Sequence, residues 1–290
     1  MKTKKVLVLG AYGFFGRYLC THLNELDNDV LRHGRHLNAD HSIDLTCQLE
    51  ILNFLKKHKP DVIINLVALT NVDFCEKNPF EAFISNTKIV ENISKSIIDC
   101  QSEIQLIHFS TDQVYNGNGG HSENIVNPIN VYGITKYFGE KMISSKLNYI
   151  ILRTNFVAKN YLKSNSFSDW LYKSALNKDK ITIFDDIYFN PLHVLTLCDL
   201  ISNRIINSKI TGTFNLGSNE GMSKSEFATS FMNKLNIKSN FKVGHSSEFN
   251  FSAKRPKDMR TDVSLFENQF KLKLPNLENE IENLYSQYNK

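Results

Sequence analysis

Lys5-Val-Leu-Val-Leu-Gly-Ala-Tyr-Gly-Phe-Phe-Gly-Arg17 is the stretch on which the fold turns. An apolar run, Val6 to Leu9, leads straight into Gly10, Gly13 and Gly16, and a helical pattern, Phe14 to Leu26, follows. A glycine trio between a strand and a helix is the setting a dinucleotide fingerprint requires. The glycines permit a tight turn and a close approach to a pyrophosphate, while the helix start offers unpaired N–H groups and the positive end of its dipole. A glycine trio alone also occurs as a plain structural turn. Its place ten residues into the chain, strand before and helix after, selects the cofactor reading and brings Phe14 and Phe15 with it.

Working outward, short apolar runs recur at Val30 to Arg32, Val62 to Leu66, Ile104 to Phe109 and Tyr149 to Leu152. Helical patterns near Leu49 to Lys57, Phe80 to Ile98 and Tyr132 to Lys146 separate them. Strands with almost no polar alternation, each followed by a helix, predict a parallel sheet covered on both faces. The expected class is therefore α/β, a Rossmann-like doubly wound sheet over residues 1–153. Residues 154–290 are expected to form a smaller α/β substrate-binding part, with about 181–216 returning to the first domain. Helical patterns at Ser168 to Leu176, Leu192 to Ile206, Lys224 to Leu235 and Ser264 to Phe270, and strands at Ile181 to Phe184 and Thr213 to Leu216, belong to it. No internal repeat or linker-like tract divides the two parts, and the Asn- and Lys-rich C-terminal stretch reads as compositional.

The 34 Lys and Arg against 30 Asp and Glu leave a net charge of +4, too small and too scattered for a nucleic-acid footprint. A negatively charged small substrate is compatible with it. The five cysteines, Cys20, Cys47, Cys75, Cys100 and Cys198, form no CxxC pair and no metal-ligand spacing, so they read as reduced thiols. Nine scattered histidines add no cluster, and no metal is assigned. Lys2 to Leu9 mimics a signal peptide, but Gly10 and Arg17 interrupt it too early. No stretch approaches ~18 apolar residues, so the expectation is a cytoplasmic protein without a membrane partner.

At the end of the second strand an NAD enzyme would carry a carboxylate for the ribose hydroxyls. This chain has Arg32 and Arg35 instead, whose planar donors suit a 2′-phosphate, so NADP(H) is favoured with NAD(H) still open. Tyr132 and Lys136 stand four apart at a helix start, one turn apart on one face. A lysine cation there is expected to favour the phenolate of a phenol that ordinarily titrates near ~10. Ser110, Thr111 and Asp112 follow the fourth strand, at the carboxyl edge where such sheets place ligands. Each feature has a bland reading, surface decoration for Tyr-x-x-x-Lys and a turn or cap for Ser-Thr-Asp. Their joint order is what argues for a site.

The chain resembles the sugar-nucleotide reductases of the extended short-chain dehydrogenase/reductase class, of the dTDP-4-dehydrorhamnose reductase kind. The resemblance rests on Gly10-x-x-Gly13-x-x-Gly16, Asn65-Leu-Val-Ala68, Thr70-Asn-Val-Asp73, Ser110-Thr-Asp112, Asn130-Val-Tyr-Gly133 with Lys136, and Leu152-Arg-Thr154. Asp186 to Pro191, Phe214-Asn-Leu-Gly217, Lys224-Ser-Glu-Phe-Ala228 and Arg255-Pro256 leading to Asp262 agree with it. It implies NADPH-dependent reduction of the 4-keto group of a nucleotide-linked 4-keto-6-deoxy sugar, with Thr111, Tyr132 and Lys136 catalytic and Asp112 on the sugar. It further implies cofactor contacts from Asp44, Leu45, Ala68, Leu69 and Thr70, and a place for Phe156 in the sugar pocket; Arg255 and Arg260 are separate candidates for the substrate diphosphate, because paired guanidiniums suit it. A homodimer is a further open expectation.

Related 4,6-dehydratases carry Glu after the Thr-Asp pair, where a carboxylate abstracts the proton that elimination requires. Here Gln113 stands in that place, and an amide cannot be that base. Two rivals stay open at this point: an epimerase with the same Thr-Tyr-Lys set, and a non-catalytic NADP-binding regulatory subunit. Asn116 to Gly120 is expected to be a flexible loop at the mouth of the site.

Overall fold

The computed structural model describes residues 3–36, 38–161, 166–238 and 240–289; Lys2, part of the signal-like start, lies outside them. Six strands form one sheet: β1 (Lys5–Leu9), β2 (Asp29–His33), β3 (Val62–Asn65), β4 (Gln105–Thr111), β5 (Asn148–Thr154) and β6 (Gly212–Leu216). They lie in the order β6-β5-β4-β3-β1-β2, and every pair is parallel. Chain order reverses between β1 and β3, which opens a crevice at their carboxyl ends.

The lack of polar alternation in the strands has its counterpart in the core. Val6 and Val8 of β1 join Ile64 and Ile107 on one face, packed under α1 (Phe14–Glu25) and α6 (Val194–Leu200). Leu7 and Leu9 join Ile63, Leu106 and Ile151 on the other, under α2 (Gln48–His58) and α3 (Ile89–Asp99). A sheet buried on both faces selects apolar residues at odd and even positions alike.

After β4 the chain makes α4 (Val131–Lys141); after β5 it builds the C-terminal lobe from α5 (Phe167–Leu176), α7 (Lys224–Lys234) and α8 (Leu277–Tyr288). That lobe has its own core, including Leu171, Phe189, Phe227, Phe231, Ile281 and Leu284. Among the described residues no helix is long and apolar enough to cross a membrane.

Several expectations need correction. The segment expected to run as one helix from Phe80 to Ile98 contains a wider-wound turn, Ile84–Lys88, before α3. The helix expected to run to Lys146 stops at Lys141, where Met142 caps it. Ile181–Phe184 does not return to the main sheet: it pairs with Phe241–Gly244 inside the C-terminal lobe, and the return is made by α6 and β6. The C-terminal stretch read as compositional is α8, whose Leu277, Ile281, Leu284 and Tyr288 are buried along one helical stripe.

Candidate active site

The glycine turn is built for close approach. Gly10 sits at φ +85°, and its carbonyl oxygen accepts from Gly13 N at 3.0 Å. A Cβ on Gly16 would lie 2.4 Å from that same oxygen, so only glycine lets α1 pack this tightly on the turn. No side chain caps the start of α1, which leaves its first-turn N–H groups for an anion. Tyr12 leans from the turn onto the segment after β2, where its hydroxyl accepts from Asp40 N at 2.8 Å and its ring meets His36 edge-on. Arg32 is half-buried and Arg35 exposed on this rim. The turn, the helix start and two guanidiniums therefore fit a dinucleotide carrying an extra phosphate.

Asp44 spends its carboxylate locally, accepting from Thr46 N at 2.8 Å and Thr46 Oγ1 at 2.7 Å, which holds it below the usual carboxylate range. Buried Leu45 is fixed through its carbonyl by Asn92 of α3. Across the crevice, Leu69 lies between Ala68 and Thr70 and is clamped on both sides by the Asn86 side chain: its N–H donates to Oδ1 at 2.8 Å and its carbonyl accepts from Nδ2 at 3.1 Å. Asn86 also bonds Thr135 of α4 at 3.1 Å, so one buried amide ties the Ala68–Thr70 segment to the Tyr132 helix. The sequence reading missed Asn86; it stands in the wide turn that interrupts the expected long helix.

Thr111 ends β4, and Tyr132 and Lys136 lie on α4 above it. Asn130 caps α4 by accepting from Gly133 N at 2.8 Å, which fixes the turn that carries Tyr132. The Thr111 hydroxyl donates to Asp112 Oδ1 and accepts from Gln113 N, each at 3.2 Å. Burial pushes the phenol well above its ordinary value, and Thr111 partly offsets that. Lys136 is buried, 2% exposed, and its ammonium donates to the Phe109 carbonyl at 2.5 Å. Burial draws it down to about 8, against an opposing pull from Glu140. The expected lysine-assisted lowering of the phenol is therefore not what the site displays: Lys136 spends its bond on the strand, and Thr111 is the neighbour that draws the phenol down.

Beneath this trio lies a buried polar network. Glu140 accepts from Ser110 Oγ and from Arg153 Nη2, the latter at 2.6 Å. Arg153 Nη1 donates to the Tyr115 hydroxyl and the Glu123 carbonyl, each at 2.8 Å. Burial works against the Arg153 cation, but Glu140 outweighs it and raises the group.

Between the sheet edge and the C-terminal lobe lies a cavity of about 300 Å³. Gln113 and Asn155 line its sheet side, and Trp170, Lys224, Phe251 and Arg255 line its lobe side. Asn155 Nδ2 donates to Asp112 Oδ2 at 2.9 Å, linking the cavity wall to the Thr111 end of the site. Arg255 donates through Nη2 to Asp73 at 2.5 Å, while its Nη1 is buried without a hydrogen-bond partner.

Three expectations bear on this region. Phe156 does not line this cavity; it packs against Phe14 and Phe15 at centroid distances of 5.5 and 5.2 Å, while its neighbour Asn155 lines the cavity. Arg260 does not reach the cavity: Asp258 takes its guanidinium at 2.5 and 2.9 Å, and it stacks over Tyr188. The Asn116–Gly120 loop leads into His121, which is tied to the Asp258 segment. Gly119, at φ +77°, makes room for the Asp258 carboxylate, and His121 bonds Asp258 O at 2.8 Å. Conversely, Lys224, which the sequence marks only as part of a matching segment, lines the cavity.

A family model described as the RmlD substrate binding domain matches residues 4–290. A dTDP-4-dehydrorhamnose reductase from Shigella flexneri is 27% identical over 290 residues, covering 93% of each chain. The crystal structure of dTDP-4-dehydrorhamnose reductase from Bacillus anthracis in complex with NADP superimposes with a TM-score of 0.89 at 25% identity, over 99% of this chain and 100% of that one. The Yersinia enterocolitica reductase gives 0.87 at 25% identity, over 99% and 100%. With a model spanning almost its whole length and solved relatives that superimpose over nearly all of it, the chain belongs to the family of the RmlD substrate binding domain.

Proposed function

We propose that the protein uses NADPH to reduce the 4-keto group of a nucleotide-linked 4-keto-6-deoxy sugar, supplying a deoxysugar precursor for polysaccharide. The observation that carries the reading is the placement of Thr111 at the carboxyl end of β4 with Tyr132 and buried Lys136 on the helix above it, set between the glycine turn and the cavity. The NADP bound in the Bacillus anthracis relative supports the cofactor choice.

In this reading Gly10, Gly13, Phe14, Phe15 and Gly16 hold the pyrophosphate, Arg32 and Arg35 the 2′-phosphate, Asp44 and Leu45 the adenine side, and Ala68, Leu69 and Thr70 the nicotinamide ribose. When bound, NADPH supplies the hydride. Thr111 holds the substrate carbonyl oxygen, and Tyr132, kept protonated by burial, delivers a proton to that oxygen. Lys136 keeps a positive charge beneath the site, and Asp112 with Asn155 borders the sugar. Gln113 faces the cavity where an elimination would need a carboxylate, so the chemistry ends at reduction.

The test is NADPH absorbance with a panel of dTDP-, UDP-, GDP- and CDP-linked 4-keto sugars, with products read by NMR. Stoichiometric NADPH loss and a 4-hydroxyl product are expected. Interconversion without net NADPH loss would make the protein an epimerase, and NADPH binding without turnover a regulatory subunit.

The finer setting belongs to the same proposal. Five free cysteines, three of them buried, suit a reducing cytoplasm. Exposed Phe80, Phe83, Phe138 and Met142, on helices around the α4 face, suit a homodimer contact that light scattering would test.

A further inference from the structure

Lys224 is the first residue of α7, and its backbone is fixed on both sides. Ser223 and Glu226 form a reciprocal cap at the helix start, and Lys224 N donates to Ile187 O at 2.9 Å. Its ammonium lies 3.1 Å from the centroid of buried Phe189 and 4.5 Å from that of Phe167, and it lines the cavity. Among the described residues no oxygen stands within hydrogen-bond distance of it. Asp112 is the anion that acts on it, too far off for an ion pair. Burial opposes both charges, lowering the lysine and raising the carboxyl, and each is partly restored by the other. Lys224 is half-buried and its ammonium opens into the cavity, so a ligand there can complete its donors.

Asn155 bonds the Asp112 carboxylate and lines the same cavity as Lys224. Its Nδ2 is committed to Asp112, which leaves its carbonyl oxygen, an acceptor without a partner among the described residues, on the cavity wall. A donor, an acceptor and a fixed counter-charge at the Thr111 end of the cavity match a neutral diol. A phosphate fits worse, because beside Lys224 it would also face the Asp112 carboxylate. Arg255, held on the lobe side by Asp73, is placed for the anionic end.

We infer that Lys224 is a substrate-contacting specificity residue, whose ammonium donates to the vicinal hydroxyls of the sugar ring next to the keto carbon while the Asn155 amide oxygen accepts from the same diol. The inference rests on the sugar-reductase reading and narrows it to substrates that keep both hydroxyls.

The test compares wild type and Lys224→Met on the intact 4-keto sugar nucleotide, its 2-deoxy and 3-deoxy analogues, and the nucleoside diphosphate alone. The variant should raise KM for the intact substrate about tenfold with a smaller change in kcat, a size usual for one lost polar contact. At least one deoxy analogue should show the raised KM already in wild type, with no further rise in the variant. Nucleoside diphosphate affinity, NADPH affinity and melting temperature should not move. An unchanged KM for the intact substrate overturns the inference, and so does an equal loss of nucleoside diphosphate affinity, which would make Lys224 a phosphate contact. Should wild type turn over no 4-keto sugar nucleotide, the reductase reading falls by itself. Equilibrium binding of intact against deoxy sugar nucleotide then still decides the clamp, and equal affinities remove it.

Discussion

The ammonium of Lys136 donates to the carbonyl oxygen of Phe109 at 2.5 Å, and the ring of Phe109 packs 5.1 Å from that of Phe15 in the helix that follows the glycine turn. One lysine thus joins the Tyr132 helix, the central strand and the cofactor turn. Burial brings Lys136 down to about 8, so its cation is present at neutral pH and lost as pH rises through that value. The kcat/KM for reduction should therefore fall above about pH 8, while Tyr132, held well above its ordinary value, stays protonated. Lys136→Met should cost ~100-fold in kcat and abolish this alkaline limb. A limb unchanged in the variant would assign it to another group.

Tyr132→Phe separates binding from proton delivery. The ring sits in a small apolar cluster with Cys75, Ala82 and Leu69, which phenylalanine fills equally well. NADPH affinity by fluorescence titration should stay within about twofold, and turnover should drop by ~100- to 10,000-fold. Full turnover in this variant would remove the mechanism.

The rim after β2 decides the cofactor. Arg32 and Arg35 have no acceptor bonded to them among the described residues, and Arg32 acts on Tyr12 of the glycine turn. Replacing both with serine should weaken NADPH binding by ~10-fold or more and leave NADH nearly unchanged, since paired guanidinium contacts serve only the 2′-phosphate. Parallel losses for the two cofactors would show that the arginines act on something else.

Local features were legible where one residue type has one physical use. The glycine spacing, the unalternated strands and the Tyr-x-x-x-Lys step gave the sheet and the Thr111–Tyr132–Lys136 grouping. Partnerships between distant segments were not legible. Asp73 holds Arg255 and Asp258 holds Arg260, and no spacing rule reports which aspartate meets which guanidinium. That Asn155 rather than Phe156 lines the cavity was not legible, because the chain leaves β5 at Thr154 and the strand alternation that would assign the two is broken there. Asn86 lay hidden because a wide helical turn has no sequence signature as sharp as a cap.

The Glu140–Arg153 bridge, 2% and 3% exposed, ties the floor of the site to its chemistry. Arg153→Met should destabilise by ~3 to 5 kcal/mol in urea unfolding, because it leaves a buried carboxylate without its cation. Glu140→Gln carries a second readout. Glu140 is the group that holds Lys136 up, so its loss should move the alkaline limb of activity to lower pH. A limb that stays in place would confine Glu140 to a structural role.

Acid stability should report two buried neutral imidazoles. Burial draws His193 from 6.5 to about 4 and holds His108 well below its ordinary value, with Asn65 bonded to His108 Nδ1 at 3.1 Å. A depressed histidine binds its proton more readily in the unfolded chain, so stability is full above about pH 6.5 and is lost as pH falls toward about 4. For His193 the loss is about 3 kcal/mol at most, at ~1.4 kcal/mol for each tenfold difference in proton affinity between the folded and unfolded chain. Neighbouring Glu280, raised by the same burial, changes stability in the opposite sense above the ordinary carboxylate range and softens the slope. His193→Gln should therefore flatten the fall in melting temperature between about pH 6.5 and about pH 4.5 while lowering the value at about pH 8 through lost packing. A variant whose acid slope equals that of the wild type would place the sensitivity at His108, and His108→Gln would then carry the flattening.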